Sequence, residues 1–262
     1  MIFSLAIKYL NYIFLSRHRK GHGIHSPFIY DLVSRVFRKK TDPYFIFKVE
    51  DVRQKMISDN RRISVKDLGS RSGSLETNLR KVSVIARYSA VPVKYGRLLS
   101  NMAAEFGHPL IIELGTSLGI SAMYLAASCP GTVVCTIEGC PATADIARQN
   151  FIEAGFKNIM ILEGPFDEIL PGFATIGVKP GLVFIDGNHR KEPVINYFNQ
   201  MAELSDNKTV IIIDDINYSK EMAEAWEIIK LHEKVSVSVD VFRMGILFFR
   251  EGINHNNYRI RY

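Results

Sequence analysis

The stretch that decides the fold reads Leu110-Ile111-Ile112-Glu113-Leu114-Gly115-Thr116-Ser117-Leu118-Gly119-Ile120-Ser121. Its first five residues form a short apolar run, which is typical of a strand buried on both faces. Two glycines and the helix-favouring run 122–126 follow. An α/β sheet builds a nucleotide site from these parts, because glycines allow close backbone approach and a helix N-terminus offers free N–H groups. The spacing is neither the G-x-G-x-x-G of dinucleotide-binding folds nor a P-loop.

From Pro109 onward, apolar strands alternate with helices, which predicts a parallel sheet with βαβ crossovers. We expect five parallel strands at 110–114, 132–137, 159–162, 181–185 and 209–213, and helices at 119–128, 141–154, 190–203 and 219–231. Two further strands, 235–242 and 245–249, are separated only by Arg243-Met244 and therefore predict a hairpin. The expected fold is α/β, with a doubly wound, mostly parallel, seven-stranded, Rossmann-like sheet in a domain at 91–262.

Residues 1–90 predict a helical extension that acts as a cap. Residues 2–15 form a nearly all-apolar helix that is too short to cross a bilayer, so it could be buried on the protein, in a homodimer interface or at a membrane surface, and we favour the first two. Ser26-Pro27 begins a second helix that reaches about Phe37, and Asp42-Pro43 predicts a turn. Two more helices are expected at 75–88 and 94–106. The segment 67–73 repeats the glycine spacing, but a charged stretch precedes it and indicates a surface loop.

Positive charge is concentrated in the first 40 residues. They hold eight lysine and arginine residues against Asp31 alone, whereas the net charge of the whole chain is +6. This asymmetry predicts either contact with RNA or another anionic surface, or solvated helix ends. The basic loop 17–25 contains three histidines, but it has no nearby cysteine or carboxylate to complete a metal site. Three cysteines without zinc-site spacing indicate free thiols in a reducing cytoplasm.

Acidic residues follow the predicted strands at the edge where α/β sheets bind ligands. Glu138 ends the second strand, 25 residues after Glu113, where a carboxylate can accept both ribose hydroxyls. Asp186 follows the fourth strand, and Asp214 and Asp215 follow the fifth. Three converging carboxylates need neutralisation by a cation or by protons, and oxygen ligands favour Mg²⁺, with Mn²⁺ or Ca²⁺ as alternatives.

These motifs resemble those of class I S-adenosylmethionine-dependent methyltransferases. The Glu-x-Gly-x-x-x-Gly spacing resembles their first motif, and Ile-Asp-Gly-Asn-His at 185–189 with Ile-Asp-Asp at 213–215 resembles the metal-dependent catechol, macrolide and sugar O-methyltransferase branch. The resemblance covers about 93–250. It implies metal ligation by Asp186, Asp214 and Asp215, and catalysis by Asp186 with His189 as general base. The catechol enzymes usually have asparagine where Asp215 stands and lysine where His189 stands.

The resemblance also implies which residues bind S-adenosylmethionine. Ser121 would hydrogen-bond the methionine carboxylate. Pro165 stands where many of these enzymes have the acid that contacts adenine, so that contact would fall to Phe166. The whole implied set is Glu113, Gly115, Thr116, Ser117, Gly119, Ser121, Glu138, Gly139, Gly164, Phe166 and Asp186.

The leading interpretation is a cytoplasmic enzyme that O-methylates a small hydroxylated acceptor. One alternative is an RNA methyltransferase, for example of tRNA, that holds phosphates with its basic N-terminal region. Another is a non-catalytic protein that binds S-adenosylmethionine. Methylation of base amino groups is disfavoured because no Asn/Asp-Pro-Pro-Tyr follows the fourth strand, and a C5-pyrimidine enzyme would need a cysteine near Asp186.

Overall fold

The computed structural model describes residues 2–16, 26–66 and 78–262. These residues form two compact units, one of residues 40–180 and the other of residues 1–39 and 181–262. The predicted cap of residues 1–90 is therefore shared between the two units. The basic loop 17–25 and the repeated glycine spacing at 67–73 lie outside the described residues.

Helices and strands alternate along most of the described chain. The helices are α1 (Ile2–Leu15), α2 (Pro27–Asp31), α3 (Pro43–Ser58), α4 (Val82–Tyr88), α5 (Val93–Phe106), α6 (Ile120–Ala127), α7 (Pro141–Glu153), α8 (Phe166–Phe173), α9 (Lys191–Leu204) and α10 (Lys220–Ile229). The strands are β1 (Arg62–Val65), β2 (Asn78–Lys81), β3 (Leu110–Leu114), β4 (Val133–Glu138), β5 (Ile159–Glu163), β6 (Leu182–Ile185), β7 (Val210–Ile213), β8 (Val237–Asp240), β9 (Gly245–Phe248) and β10 (Asn256–Arg259). A π-helical turn, Leu32–Val36, continues α2.

The unit of residues 40–180 contains three parallel strands. β4 lies between β3 and β5, and its Thr136 is the register partner of Glu113 on β3. Every residue of β3 is buried, which confirms the strand predicted from the apolar run. Helix α6 follows the glycine turn and is buried along its whole length. The strand, turn and helix predicted at 110–128 are therefore present.

The unit that contains residues 181–262 pairs its strands in both directions. β6 and β7 are parallel, and β9 is antiparallel to both β7 and β8, which confirms the predicted hairpin. The seven predicted strands are β3 to β9. β10 was not predicted, and it pairs parallel with β8.

One face of α1 packs on the C-terminal residues of its own unit. The buried Tyr12 ring lies 5.2 Å from that of Phe242, and its hydroxyl donates to Ile260 O and accepts from Tyr262 N at 3.1 Å. Leu10 and other large apolar side chains of α1 remain exposed. Burial in a homodimer interface stays a prediction. Within the described ranges, no helix has both the length and the apolarity to cross a membrane.

Several predictions for local structure were wrong. Asp42-Pro43 starts α3 rather than a turn, because the Asp42 carboxylate accepts from Tyr44 N at 2.9 Å and Pro43 takes the first helical position. The helix predicted from residue 75 begins only at Val82, because β2 pairs with β1. Helix α8 was not predicted. Pro171 lies inside it, and a proline at such a position normally indicates a helix break.

Candidate active site

The glycine turn after β3 has an unusual backbone. Gly115, Ser117 and Gly119 all have positive φ angles, of 106°, 49° and 84°. A Cβ on Gly119 would lie 2.4 Å from the Phe151 ring of α7. Gly119 is therefore required for its left-handed conformation and for packing against α7. Its contact with a cofactor stays a prediction.

Glu113 is a fully buried carboxylate at the centre of this motif. Its Oε2 accepts from the Thr136 hydroxyl, which in turn lies 2.6 Å from the Thr116 hydroxyl, and Ser121 also hydrogen-bonds the carboxylate. Among the residues that the structure describes, no donor reaches Glu113 Oε1. Burial raises the pKa of Glu113 to about 7, and the negative charge of Glu138 adds to this effect.

Glu138 joins the tip of β4 to the glycine turn. Its Oε2 accepts from Ser117 N at 2.7 Å and its Oε1 from Cys140 N at 2.9 Å, and the Gly139 backbone also hydrogen-bonds the carboxylate. Burial raises the pKa of Glu138, whereas these hydrogen bonds oppose the rise. The carboxylate is therefore held in one orientation before any ligand binds. The ribose contact stays a prediction.

The residues after β5 form the third part of this site. Gly164 has a φ of 150°, and its N–H donates to Glu138 O at 3.0 Å, so this turn lies beside the tip of β4. Pro165 is the N-cap of α8, and the half-buried Phe166 is the first residue of that helix. Pro165 thus has a structural role at this position, as the residue that precedes the first turn of α8. The adenine contact of Phe166 stays a prediction.

The predicted metal ligands lie in the other unit, at the ends of β6 and β7. Asp214 N donates to Ile185 O at 2.9 Å, which fixes Asp214 beside the end of β6. The Asp214 side chain is fully buried and carries a bidentate ion pair with Arg243. Arg243 Nε lies 2.9 Å from Asp214 Oδ1, Nη2 lies 2.6 Å from Oδ2, and Nη2 is 3.4 Å from Asp215 Oδ1.

Arg243 offsets part of the negative charge of the aspartates. Burial disfavours its guanidinium charge, but the attraction and hydrogen bonds of Asp214, with smaller contributions from Asp215 and Asp186, outweigh this and raise the pKa of Arg243. Sequence reasoning predicted that a cation or protons neutralise these carboxylates, with a metal ion as the cation, and it missed Arg243. The available signal was a basic residue in a hairpin loop next to a strand that ends in Asp-Asp.

His189 lies on the loop that follows β6. Its Nε2 is 3.6 Å from Asp186 Oδ1, which is beyond ordinary hydrogen-bond length, and about one third of its side chain is exposed. Its ring centroid is 6.1 Å from that of Tyr218. The structure therefore brings the two predicted catalytic residues together and leaves the imidazole accessible.

The residues present do not fit a divalent metal ion as they stand. In the described part of the chain, no group of three or more His, Cys, Asp or Glu side chains has a metal-binding arrangement. Both oxygens of Asp214 already accept from Arg243, and a metal ion on this carboxylate would lie against the positive charge of the guanidinium. The donor set thus favours a guanidinium partner over a metal ion.

Comparisons with known proteins give a family match over the segment that contains the glycine turn. Residues 112–216 match the model of a methyltransferase domain family. The catechol O-methyltransferases of Niastella koreensis and Mycobacterium tuberculosis are 31% and 32% identical to this chain over 131 and 129 residues. Each alignment covers 48% of this chain, and the chain spans 58% and 57% of the length of these relatives. Residues 112–216 are therefore similar in sequence to a methyltransferase domain.

Solved structures show that the methyltransferase fold extends over most of the chain. The O-methyltransferase TomG of Streptomyces achromogenes, solved with S-adenosylmethionine, has a TM-score of 0.55 at 20% identity and covers 85% of this chain and 95% of its own. The O-methyltransferase of Bacillus cereus, solved with S-adenosylhomocysteine, has a TM-score of 0.55 at 22% identity and covers 83% and 96%. This likeness confirms the predicted Rossmann-like α/β fold. Arg243 lies outside the segment matched by the family model.

Proposed function

We propose that this protein is an S-adenosylmethionine-dependent methyltransferase that acts on a hydroxyl oxygen of a small acceptor. The observation that carries the proposal is the buried Glu113 Oε1, which has no donor among the described residues. A buried acceptor without a partner is unfavourable, and a ligand that supplies a donor removes this cost. The ammonium group of the methionine part of S-adenosylmethionine is such a donor.

Glu138 supports the same cofactor through its fixed orientation. Each of its oxygens accepts at least one backbone N–H, and the carboxylate has further acceptor capacity for a ribose hydroxyl. Because Ser117 N holds the carboxylate in place, the ribose would meet a group that needs no reorganisation. The relatives named as O-methyltransferases support oxygen as the atom that is methylated.

The acceptor proton would go to His189. When bound, S-adenosylmethionine supplies a methyl group on a sulfonium; the carbon–sulfur bond breaks as the carbon–oxygen bond forms, and S-adenosylhomocysteine leaves. His189 suits the base role because an imidazole nitrogen can accept a proton, and Asp186 Oδ1, 3.6 Å from Nε2, would stabilise the imidazolium that forms. The catechol O-methyltransferases among the relatives support a small hydroxylated acceptor.

Calorimetry with S-adenosylhomocysteine tests the cofactor site. We expect wild-type protein to bind, and Glu138→Ala to weaken binding by about 1–3 kcal/mol, which is the range for hydrogen bonds to charged groups. Glu163→Ala is the matched control, because Glu163 ends β5 but pairs with the exposed Arg148. Absence of binding to the wild type would contradict the proposal.

A methyl-transfer screen tests the reaction. Labelled S-adenosylmethionine is incubated with separate pools of phenols, sugars, lipids and tRNA. Label in a phenol or sugar pool, reduced about 10²–10⁴-fold by His189→Ala, supports the proposal. Transfer to tRNA alone would support the RNA alternative, and cofactor binding without transfer to any pool would support a non-catalytic protein.

A further inference from the structure

We define the acid cluster as Asp186, Asp214 and Asp215. The negative charge of these three carboxylates is unfavourable unless it is neutralised. Asp214 is 0% exposed, and Asp215 follows it directly in the chain. An ionised carboxylate in such a place is strongly unfavourable unless a cation is paired with it. A divalent ion is one solution, and a buried arginine is another.

Arg243 supplies a cation with the geometry that Asp214 requires. Its Nε and Nη2 atoms lie 2.9 and 2.6 Å from the two carboxylate oxygens, which is a bidentate pairing. Nη2 also lies 3.4 Å from Asp215 Oδ1, so one guanidinium contacts two members of the acid cluster. Arginine does not lose its proton in proteins, so this positive charge is permanent.

The loop between β8 and β9 holds Arg243 in place. Phe242 has a positive φ of 73°, its N–H donates to Asp240 Oδ1 at 2.7 Å, and its carbonyl accepts from Asn217 Nδ2 at 2.7 Å. Arg243 O accepts from Ile216 N at 3.0 Å, which ties the loop to the residues after β7. The Tyr9 ring of α1 packs edge-on against Phe242 at 4.8 Å. The guanidinium is thus positioned from several sides.

We propose that Arg243 occupies the electrostatic place of a divalent cation, so that the acid cluster binds no metal ion in the native protein. A metal ion at Asp214 would be repelled by a guanidinium that is hydrogen-bonded to both oxygens of the same carboxylate. The consequence for catalysis rests on the proposed function: methyl transfer by this protein then needs no divalent ion. Removal of the acceptor proton falls to His189, because a guanidinium does not activate a hydroxyl as a Lewis acid does.

Manganese titration followed by electron paramagnetic resonance tests this inference without any acceptor. We expect no saturable Mn²⁺ binding to the wild type below about 1 mM, the weak end of the affinity scale. Arg243→Ala removes the guanidinium, so we expect a lower Tm, new Mn²⁺ binding at least about tenfold tighter than in the wild type, and recovery of Tm on Mn²⁺ addition. Arg243→Lys keeps the charge but loses the bidentate fork, and it should have an intermediate Tm.

Arg259→Ala is the matched control. Arg259 pairs with Asp240 at 3.2 Å in the same unit, but this removes a partner from one carboxylate rather than from the acid cluster. It should create no Mn²⁺ site.

Saturable submillimolar binding to the wild type that Asp214→Asn abolishes would overturn the inference, even if Arg243→Ala does not fold. Once an acceptor is known, unchanged turnover in excess chelator supports metal-free transfer, and loss of turnover that Mg²⁺ restores would overturn it. Failure of the proposed function would show separately, as absent S-adenosylhomocysteine binding.

Discussion

The buried carboxylate of Glu113 should make the stability of the cofactor-free protein depend on pH. Its pKa is about 7 in the folded state and 4.5 in the unfolded chain, so the folded state holds the proton more tightly. A raised carboxylate pKa means that stability is greatest below pH 4.5, falls as the pH rises to 7, and is constant above. At about 1.4 kcal/mol per pKa unit, the full loss is about 3 kcal/mol.

Glu113→Gln removes this ionisation and keeps the shape of the side chain. We expect the variant to exceed the wild type in unfolding free energy by about 3 kcal/mol at pH 8 and by less than about 1 kcal/mol at pH 5. Urea denaturation of the cofactor-free protein at the two pH values measures the difference. Glu163→Gln, at a more exposed strand end, controls for the change in net charge. A difference that is the same at pH 5 and pH 8 would refute the assignment of Glu113 as a buried carboxyl group that ionises with a raised pKa.

The same carboxylate should link cofactor binding to proton release. An ammonium group at Oε1 favours the ionised form, so binding below pH 7 requires Glu113 to lose its proton. The affinity of the wild type for S-adenosylhomocysteine should therefore fall by up to about tenfold per pH unit between pH 7 and pH 5. Calorimetry in buffers of different ionisation enthalpy counts the released proton, and Glu113→Gln should show a flat profile. A flat wild-type profile would mean that the ammonium lies elsewhere.

Two substitutions test packing around the site and the N-terminal helix. Gly119→Ala should lower the unfolding free energy by about 2 kcal/mol or more, because the φ of Gly119 is positive and a Cβ there would lie 2.4 Å from the Phe151 ring. Gly177 also has a positive φ, of 72°, but a Cβ there would meet no atom within 4 Å. Gly177→Ala should therefore show only the cost of the strained backbone, about 1 kcal/mol. Tyr12→Ala should lower the unfolding free energy by about 3 kcal/mol, because it removes a buried ring and its hydrogen bonds. Phe14 is 81% exposed, so Phe14→Ala should change the unfolding free energy little. Urea midpoints measure both pairs, and equal effects within either pair would contradict the packing described.

The sequence predicts the strand, turn and helix of residues 110–128 because each signal is local. Apolar residues specify a buried β3, glycines specify positive φ angles, and the helix-favouring run specifies α6. The position of Glu138 follows from strand length and parallel pairing, which are also regular. The local structure of the N-terminal 90 residues is harder to predict from the sequence, because a pair such as Asp42-Pro43 is compatible with both a turn and a helix start. Only the residues that follow, which form α3, distinguish the two.

Arg243 shows a different limit of sequence reasoning. Three carboxylates at the ends of β6 and β7 need neutralisation by a cation or by protons, and this follows from the sequence through electrostatics alone. Which cation supplies the charge depends on the path of a hairpin loop, and that path depends on the positive φ of Phe242 and on its contacts with Tyr9 and Asn217. Tyr9 belongs to α1, more than 200 residues earlier in the chain. The apolar N-terminal helix α1 therefore packs against the loop that carries Arg243, the proposed substitute for the metal ion. Without α1, this loop would lose the contact between Tyr9 and Phe242 that helps to position Arg243 beside Asp214.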